Sequence, residues 1–230
     1  MNIEAKNISV SFGHTKAVDD FSFVFEAGKV YALIGPNGCG KSTLVKALVT
    51  STKPGTVGYV AQETIGLINL TVSEYISLGR YKPGKFFGGL NAEDKKHITD
   101  AMETMEVTGL QDRIFDTLSG GEKQRVMAAR VIAQDPEWII LDEPSANLDV
   151  KHTTHIMNTV KKLQSDGKSF IIVIHDINDA VHYADELVMM REGKLVKSTS
   201  TPDTEDFKSL YDAEFMKVTA PDGRDFFYSE

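Results

Sequence analysis

Short, unbroken apolar runs recur along the chain, and longer stretches with helical spacing separate them. Residues 30–34, 138–141 and 169–174 are almost wholly apolar and have the length of a strand. Such runs are typical of central parallel strands that are covered on both faces. The pattern predicts an α/β fold in which helices cover a parallel sheet.

Further elements follow from the same pattern. Strands are predicted at residues 2–11, 21–25 and 57–61, and amphipathic helices at residues 151–165 and from about 92 to 107. Asn91 is the candidate N-terminal cap of the second of these helices.

Helical spacing is concentrated in the middle of the chain. We expect one domain over residues 1–230, in which a helical subdomain at about 71–135 is inserted into a core. That core, with its β-subdomain, would consist of residues 1–70 and 136–230.

Composition narrows the classes of function. The net charge of −8 argues against nucleic acid as the main partner, because nucleic-acid binding is driven by basic surface. The single cysteine, Cys39, excludes an internal disulfide and fits a reducing compartment. The first residues lack the features of a signal peptide, and the longest apolar runs are far too short to cross a bilayer. Work at a membrane would therefore require another polypeptide as anchor.

The segment after residues 30–34 has the sequence of a phosphate-binding loop. It fits the pattern G-x-x-x-x-G-K-S/T between a strand and a helix, a context that a glycine turn without a ligand would not need. Glycines let backbone N–H groups surround phosphate oxygens, and the helix N-terminus adds further donors. Lys41 would reach the β- and γ-phosphates, and the Ser42 hydroxyl would ligate Mg²⁺. The ATP-binding candidates here are Gly35, Pro36, Asn37, Gly38, Cys39, Gly40, Lys41, Ser42 and Thr43.

The thiol in this loop suggests a probe of the site. Cys39 is most simply a small residue tolerated in the loop, although its place beside a helix N-terminus could lower its pKa. Because the thiol lies in the loop that would wrap the phosphates, we expect thiol reagents to inhibit through Cys39 and ATP to protect, whether or not the thiol is unusually reactive.

Two acidic residues follow the apolar run at 138–141. Ligands bind at the carboxyl ends of strands in a doubly wound sheet, so Asp142 and Glu143 would face the phosphate-binding loop. Asp142 would hold Mg²⁺ through water, and Glu143 would orient and deprotonate the attacking water. The alternative is a solvated acidic turn, which the apolar strand before it disfavours.

A second candidate phosphate site opens a helix at Ser119. Ser119 and Glu122 have the spacing of a capping box, which would explain both without a ligand. A capping box does not explain Gly120 and Gly121, because adjacent glycines weaken a helix start unless something approaches the backbone closely. A phosphate at this helix N-terminus would account for them.

Together these segments resemble the ATP-binding subunit of an ABC transporter over nearly the whole chain. Residues 35–43 resemble the Walker A loop, 118–122 the LSGGE signature, 138–143 the Walker B strand with its glutamate, and 145–149 the D-loop. The resemblance implies a P-loop NTPase fold of the ABC ATPase type: a RecA-like core, an antiparallel β-subdomain and an inserted α-helical subdomain.

The resemblance also assigns residues that the patterns alone do not single out. Gln62 resembles the Q-loop glutamine and would join the metal site, His175 resembles the switch histidine, and Asp149 ends the D-loop. Phe12 lies where the family has an aromatic residue that stacks on adenine. Without the resemblance, Gln62 could be a polar strand end, His175 a turn histidine and Phe12 a core aromatic.

The family's nucleotide site is shared between subunits, which implies a set of partners. Ser119, Gly120 and Gly121 would bind the ATP that a second copy holds. The implied ligands and partners are ATP with Mg²⁺, that second copy, transmembrane permease subunits and, indirectly, a substrate-binding protein. The permease would hold the chain at the cytoplasmic face of the cell membrane. A soluble ABC ATPase of cluster assembly is the alternative.

Two further details of the sequence make the resemblance more specific. Gln62 follows Lys41 more closely than is usual in the family, which predicts a reduced β-subdomain. Residues 71–97, with the Leu78-Gly79-Arg80 turn and the later Asp94, resemble the ATPases of ferric siderophore, haem and cobalamin importers. We therefore expect import of an iron chelate, with a zinc or manganese importer as the nearest alternative.

Overall fold

A computed structural model describes residues 1–62, 68–81, 89–145 and 149–229 of the protein. The strands are β1 Ile3–Phe12, β2 Thr15–Phe25, β3 Val30–Ile34, β4 Val57–Val60, β5 Trp138–Asp142, β6 Ser169–Val173, β7 Glu186–Arg191, β8 Lys194–Thr199, β9 Phe215–Thr219 and β10 Asp225–Ser229. The helices are α1 Lys41–Ser51, α2 Val72–Ser77, α3 Ala92–Thr104, α4 Gly120–Ala133, α5 Val150–Ser165, α6 Ile177–Tyr183 and α7 Thr204–Tyr211.

The main sheet has six strands in the order β4-β5-β6-β3-β7-β8. All neighbours pair in parallel except β7 and β8, which pair antiparallel. Alternate residues of β3 enter different hydrophobic clusters: Val30 and Ala32 face one side of the sheet, and Tyr31 and Leu33 the other. Burial on both faces explains the unbroken apolar runs, and the predicted α/β fold is confirmed.

The β-subdomain is small, as the short spacing predicts. Strands β1 and β2 form an antiparallel two-stranded sheet. Helix α1 ends at Ser51 and β4 begins at Val57, so the link between them is only a short turn. Gly13 and His14 form the turn between these strands, and β2 begins at Thr15, earlier than the pattern indicated.

Three α-helices and three short 3-10 helices lie among the described residues from Val72 to Ala133. Helices α2, α3 and α4 each begin with a capping box, and their N-cap residues are Thr71, Asn91 and Ser119, respectively. The cap predicted at Asn91 is therefore confirmed. Helix α3 ends at Thr104 rather than near 107, because Glu106 adopts a left-handed conformation with φ 51°.

The chain ends in a hairpin, β9–β10, that the sequence pattern did not predict. Its one fully buried side chain, Phe227, packs against Phe207 of α7 with ring centroids 4.7 Å apart. Within the described ranges, no helix is both long and apolar enough to cross a membrane.

Candidate nucleotide site

Residues of the predicted loop and four residues outside it line one cleft of about 390 Å³ at the carboxyl edge of the parallel strands. The lining comprises Ala17, Asn37, Gly38, Gly40, Lys41, Ser42, Thr43, Gln62, Glu143 and His175. The cleft therefore brings together the phosphate-binding loop, the second acidic residue of the 142–143 pair and two residues that only the resemblance assigned. Ala17 is the one member that the sequence did not suggest.

Two glycines of the loop are required by close backbone contacts. A Cβ atom on Gly35 would lie 1.9 Å from the carbonyl oxygen of Met190, and one on Gly40 would lie 2.0 Å from that of Ala17. Both residues also have positive φ, 150° and 105°. The loop is thus seated on β2 and β7, and no other residue type fits at either position.

The side chain of Lys41 is buried within the loop itself. Its ammonium donates to the carbonyl oxygens of Gly35 at 2.7 Å and Pro36 at 3.0 Å. These bonds compensate the burial of a charge, and they place the ammonium where the loop would wrap a phosphate.

Asp142 is held by hydroxyl groups from two elements. Ser42 Oγ donates to Asp142 Oδ1 at 2.9 Å, and the Tyr59 hydroxyl donates to Oδ2 at 2.8 Å. Burial and the neighbouring Asp142 carboxylate raise the pKa of Tyr59, so its hydroxyl remains a donor. Sequence reasoning missed Tyr59, because its contact depends on the pairing of β4 with β5.

The Ser42 and Asp142 oxygens are of the kind that Mg²⁺ prefers. Among the described residues, no group of three or more His, Cys, Asp and Glu side chains is placed to hold a metal ion. Because Mg²⁺ in nucleotide sites typically relies on phosphate oxygens and water beside one or two protein ligands, the two oxygens fit that ion.

The side chain of Glu143 contacts two other residues of the predicted site. Its Oε2 accepts from Gln62 Nε2 at 2.6 Å, and its Oε1 lies 2.6 Å from His175 Nε2. The backbone at Glu143 is left-handed, with φ 53°, which is uncommon for a residue with a side chain. Gln62 thus contacts Glu143 in this structure, and its carbonyl oxygen also accepts from Gln124 Nε2 of α4 at 3.1 Å.

The signature residues do not line the cleft. Ser119 caps α4, because its hydroxyl accepts from the Glu122 N–H at 3.3 Å while Glu122 accepts from the Ser119 N–H at 2.8 Å. A Cβ on Gly121 would lie 3.0 Å from the ring of His152, whereas one on Gly120 would meet nothing within 4 Å. Within this chain, Ser119 therefore caps α4, and the ring of His152 lies next to Gly121.

Asp149 and Phe12 also lie outside that lining. Asp149 caps α5 by accepting from the His152 N–H at 2.9 Å. Phe12 is 67% exposed at the end of β1, so it is not a core aromatic. Residues 146–148 of the D-loop resemblance lie outside the described residues.

The structure bears on one part of the expectation for Cys39, the pKa of its thiol. The residue is 7% exposed and packs with the apolar residues on the β1–β2 side of the sheet. Burial raises the pKa of the thiol, and the nearby Lys41 opposes that shift only in part. The prediction of a lowered pKa was wrong, because desolvation outweighs the helix N-terminus and the lysine.

The comparison with known proteins agrees with this geometry. The family model described as "ABC transporter" matches residues 18–146, more than half of the chain. The petrobactin import ATP-binding protein YclP of Bacillus subtilis is 37% identical, with 85% of each chain covered. The ferric enterobactin transport ATP-binding protein FepC of Escherichia coli is 32% identical, with 84% of this chain and 80% of that protein covered.

Solved structures of ATP-binding cassettes share the fold. The ADP conformation of the cassette MJ1267 has a TM-score of 0.77 at 27% identity, covering 92% of this chain and 96% of that one. A dimeric structure of the cassette MJ0796 has a TM-score of 0.75 at 25% identity, covering 86% and 98%. The chain belongs to the ABC transporter family and is an ATPase subunit whose hydrolysis of ATP is coupled to transport.

Proposed function

We propose that this chain powers an importer of iron chelates of the siderophore or haem class. The observation that carries the substrate class is a partly buried contact in the segment that resembles chelate importers. Arg80 Nε donates to Asp94 Oδ1 at 2.9 Å, and Arg80 Nη1 donates to the carbonyl oxygen of Ala133 at 3.0 Å. The arginine turn and the later aspartate of the resemblance are thus parts of one structure that joins α3 to α4.

The relatives support the same class. Besides petrobactin and ferric enterobactin proteins, the hemin import ATP-binding protein HmuV of Thermobifida fusca is 32% identical, with 83% of this chain covered. The manganese transport system ATP-binding protein MntB of Listeria monocytogenes is also 32% identical, with 84% covered. Manganese import is therefore the second candidate.

The residues of the cleft have distinct proposed roles in ATP hydrolysis. Residues 35–43 bind the phosphates through backbone N–H groups, and Lys41 turns its ammonium toward the β- and γ-phosphates. Ser42 and Asp142 hold Mg²⁺, which neutralises charge on the phosphates when bound. Phe12, exposed at the end of β1, offers its ring to the adenine.

Glu143 acts as the general base in this proposal. A general base must be held in position next to the proton it takes. Gln62 donates a hydrogen bond to the Glu143 carboxylate, and His175 contacts its other oxygen, so both residues restrict where the carboxylate lies. When ATP and water enter, these partners orient the water and the γ-phosphate against the Glu143 oxygen that receives the proton.

A second copy completes the site. Ser119, Gly120, Gly121 and Asp149 lie outside the lining of the chain's own cleft, so we assign them to the ATP of the partner. Residues 71–135 then form the helical subdomain that carries these signature residues, and residues 1–70 and 136–230 form the core. Permease subunits would bind the pair at the cytoplasmic face of the membrane.

Uptake in cells tests the substrate. Deleting the gene should abolish uptake of labelled iron-siderophore, and wild-type protein, but not the Glu143→Gln variant, should restore it. Cobalamin, zinc and manganese uptake are measured in parallel. Unchanged siderophore uptake with lost manganese uptake would select the second candidate. Co-purification of a soluble partner, with no permease, would instead favour cluster assembly.

A further inference from the structure

The side chain of Asn178 joins helix α6 to the C-terminal hairpin. Asn178 Nδ2 donates to the carbonyl oxygen of Phe227 at 3.1 Å, and Asn178 Oδ1 accepts from the Phe227 N–H at 2.7 Å. The amide thereby bonds both backbone groups of one residue, as a neighbouring strand does in a sheet. It occupies the edge of β10 that β9 leaves open.

The hairpin that Asn178 contacts is itself packed against helix α7. Phe227 is 3% exposed, and its ring packs edge-on against Phe207. Phe207 also contacts Phe215 of β9, with centroids 5.7 Å apart. Helix α7 and both hairpin strands thus share one aromatic cluster, and the backbone of Phe227 cannot move far without disrupting it.

The other end of the contact lies close to His175. Asp176 caps α6, since its Oδ1 accepts from the N–H groups of Asn178 at 2.8 Å and Asp179 at 3.0 Å. His175 immediately precedes this cap, and its imidazole is partly exposed in the cleft, bonded to Glu143. The placement of α6 therefore sets where the imidazole stands.

We propose that Asn178 is a positioning residue for His175, with the C-terminal hairpin as its support. The inference rests on the proposed role of His175 and adds a residue to it. Asn178 is not among the residues that line the cleft, so it acts on the histidine through α6 and its cap. An error of about 1 Å in a catalytic group can lower a rate by about a hundredfold, so a loosened α6 matters.

Steady-state ATPase kinetics of Asn178→Ala test the proposal. We expect kcat to fall about tenfold, within the range that misplacement can cause, while KM for ATP stays unchanged. Asn178→Gln keeps an uncharged amide with its donor and acceptor on a side chain one methylene longer, and its kcat should lie between that of Asn178→Ala and that of the wild type. Asn158→Ala, the same change at an exposed position of α5, should leave both constants unchanged.

A double-variant cycle separates this inference from the proposed function. If Asn178 acts through His175, adding Asn178→Ala to His175→Ala should lower kcat no further. Multiplicative losses, or a wild-type kcat in Asn178→Ala, would overturn the inference while His175→Ala still reports on the histidine. Unchanged turnover by His175→Ala would instead refute the histidine's proposed role.

A spectroscopic measurement covers the case in which Asn178→Ala folds poorly. The imidazole NMR signals of His175, assigned by their loss in His175→Ala, should shift in the uncharged variant Asn178→Gln and not in Asn158→Ala. Identical His175 signals in Asn178→Gln and wild type would show that the hairpin contact does not set the imidazole position.

Discussion

At the scale of single residues, Glu143 combines an unusual backbone with a fully engaged side chain. A left-handed conformation costs a residue with a Cβ about 1–2 kcal/mol, and such strain persists where the surrounding structure holds it in place. Here both carboxylate oxygens have a partner: one accepts a hydrogen bond from Gln62, and the other lies 2.6 Å from His175 Nε2. This is the geometry expected where position matters more than local stability.

We predict that Glu143→Gln lowers ATP turnover by about 10²–10⁴-fold, the usual contribution of a general base. Binding of ATP should persist, because the amide has the size of the carboxylate. The mutant should therefore accumulate as an ATP-bound dimer, which size-exclusion chromatography with labelled ATP would detect.

Glu192→Gln is a matched control for this change. Glu192 is also left-handed, with φ 50°, but its side chain is 85% exposed and outside the cleft. Its replacement should leave turnover unchanged. Near-normal hydrolysis by Glu143→Gln would remove Glu143 from the role of base.

The buried thiol leads to a second prediction at this scale. Cys39 should react slowly with a chromogenic thiol reagent in the native protein, because burial restricts access and the raised pKa lowers the thiolate fraction. Urea should expose it to full reaction. Since this is the only cysteine, the count is unambiguous. Rapid, ATP-sensitive labelling without denaturant would contradict the prediction.

At the scale of elements, the phosphate-binding loop depends on close packing between strands that are remote in sequence. Gly40 precedes α1 and lies against the carbonyl oxygen of Ala17 in β2. A side chain at this point would have to displace backbone, which no rotamer change relieves.

We predict that Gly40→Ala lowers the free energy of unfolding by several kcal/mol, measured by urea titration without nucleotide. About 1–2 kcal/mol comes from the left-handed backbone, and the clash adds to it. Gly55→Ala supplies the control, since Gly55 has φ 87° and open space around its Cβ position. An equal loss of unfolding free energy in Gly40→Ala and Gly55→Ala would show that the structure relieves the contact with Ala17 without cost.

The elements differ in how far sequence could predict them. The loop, α5 and the strands at Trp138 and Ser169 were predictable because burial on both faces or a helical stripe leaves a local pattern. Strands β9 and β10 could not be predicted, because Phe227 is the one buried side chain in their hairpin. The contacts that hold the hairpin are made by Phe207 and Asn178, which lie outside its own sequence. Local periodicity carries no record of such contacts.

The residues of the site also differ in how far the sequence could predict them. Lys41, Ser42, Asp142 and Glu143 were predictable from short patterns, and Gln62 and His175 only from the family resemblance. Tyr59 could not be found, because its hydroxyl reaches Asp142 through the parallel register of β4 on β5. Cys39 was misjudged because its direction, into the apolar side of the sheet, is a property of the folded loop.

At the scale of the whole molecule, net charge affects association. Each copy carries −8, so two copies repel at long range. Salt screens this repulsion, since the Debye length falls from about 30 Å at 0.01 M to about 8 Å at 0.15 M.

We predict that the ATP-bound Glu143→Gln protein associates more tightly at 0.15 M than at 0.01 M salt, at fixed Mg²⁺ and ATP concentrations. Analytical ultracentrifugation would measure the dissociation constant. The Asn158→Ala form of this variant, with the same charge, should follow the same curve. Weaker association at the higher salt would mean that attraction between local charged patches exceeds the repulsion between the net charges of the two copies.

The carbonyl partners of Lys41 have a consequence for the affinity of the loop for nucleotide. Because the ammonium bonds the carbonyl oxygens of Gly35 and Pro36, a phosphate that binds in the loop competes with these two oxygens for the same cation. Any carbonyl bond that weakens on binding offsets part of the attraction between the ammonium and the phosphate. The loss of ATP affinity in Lys41→Ala should therefore be smaller than the strength of the ammonium–phosphate contact alone.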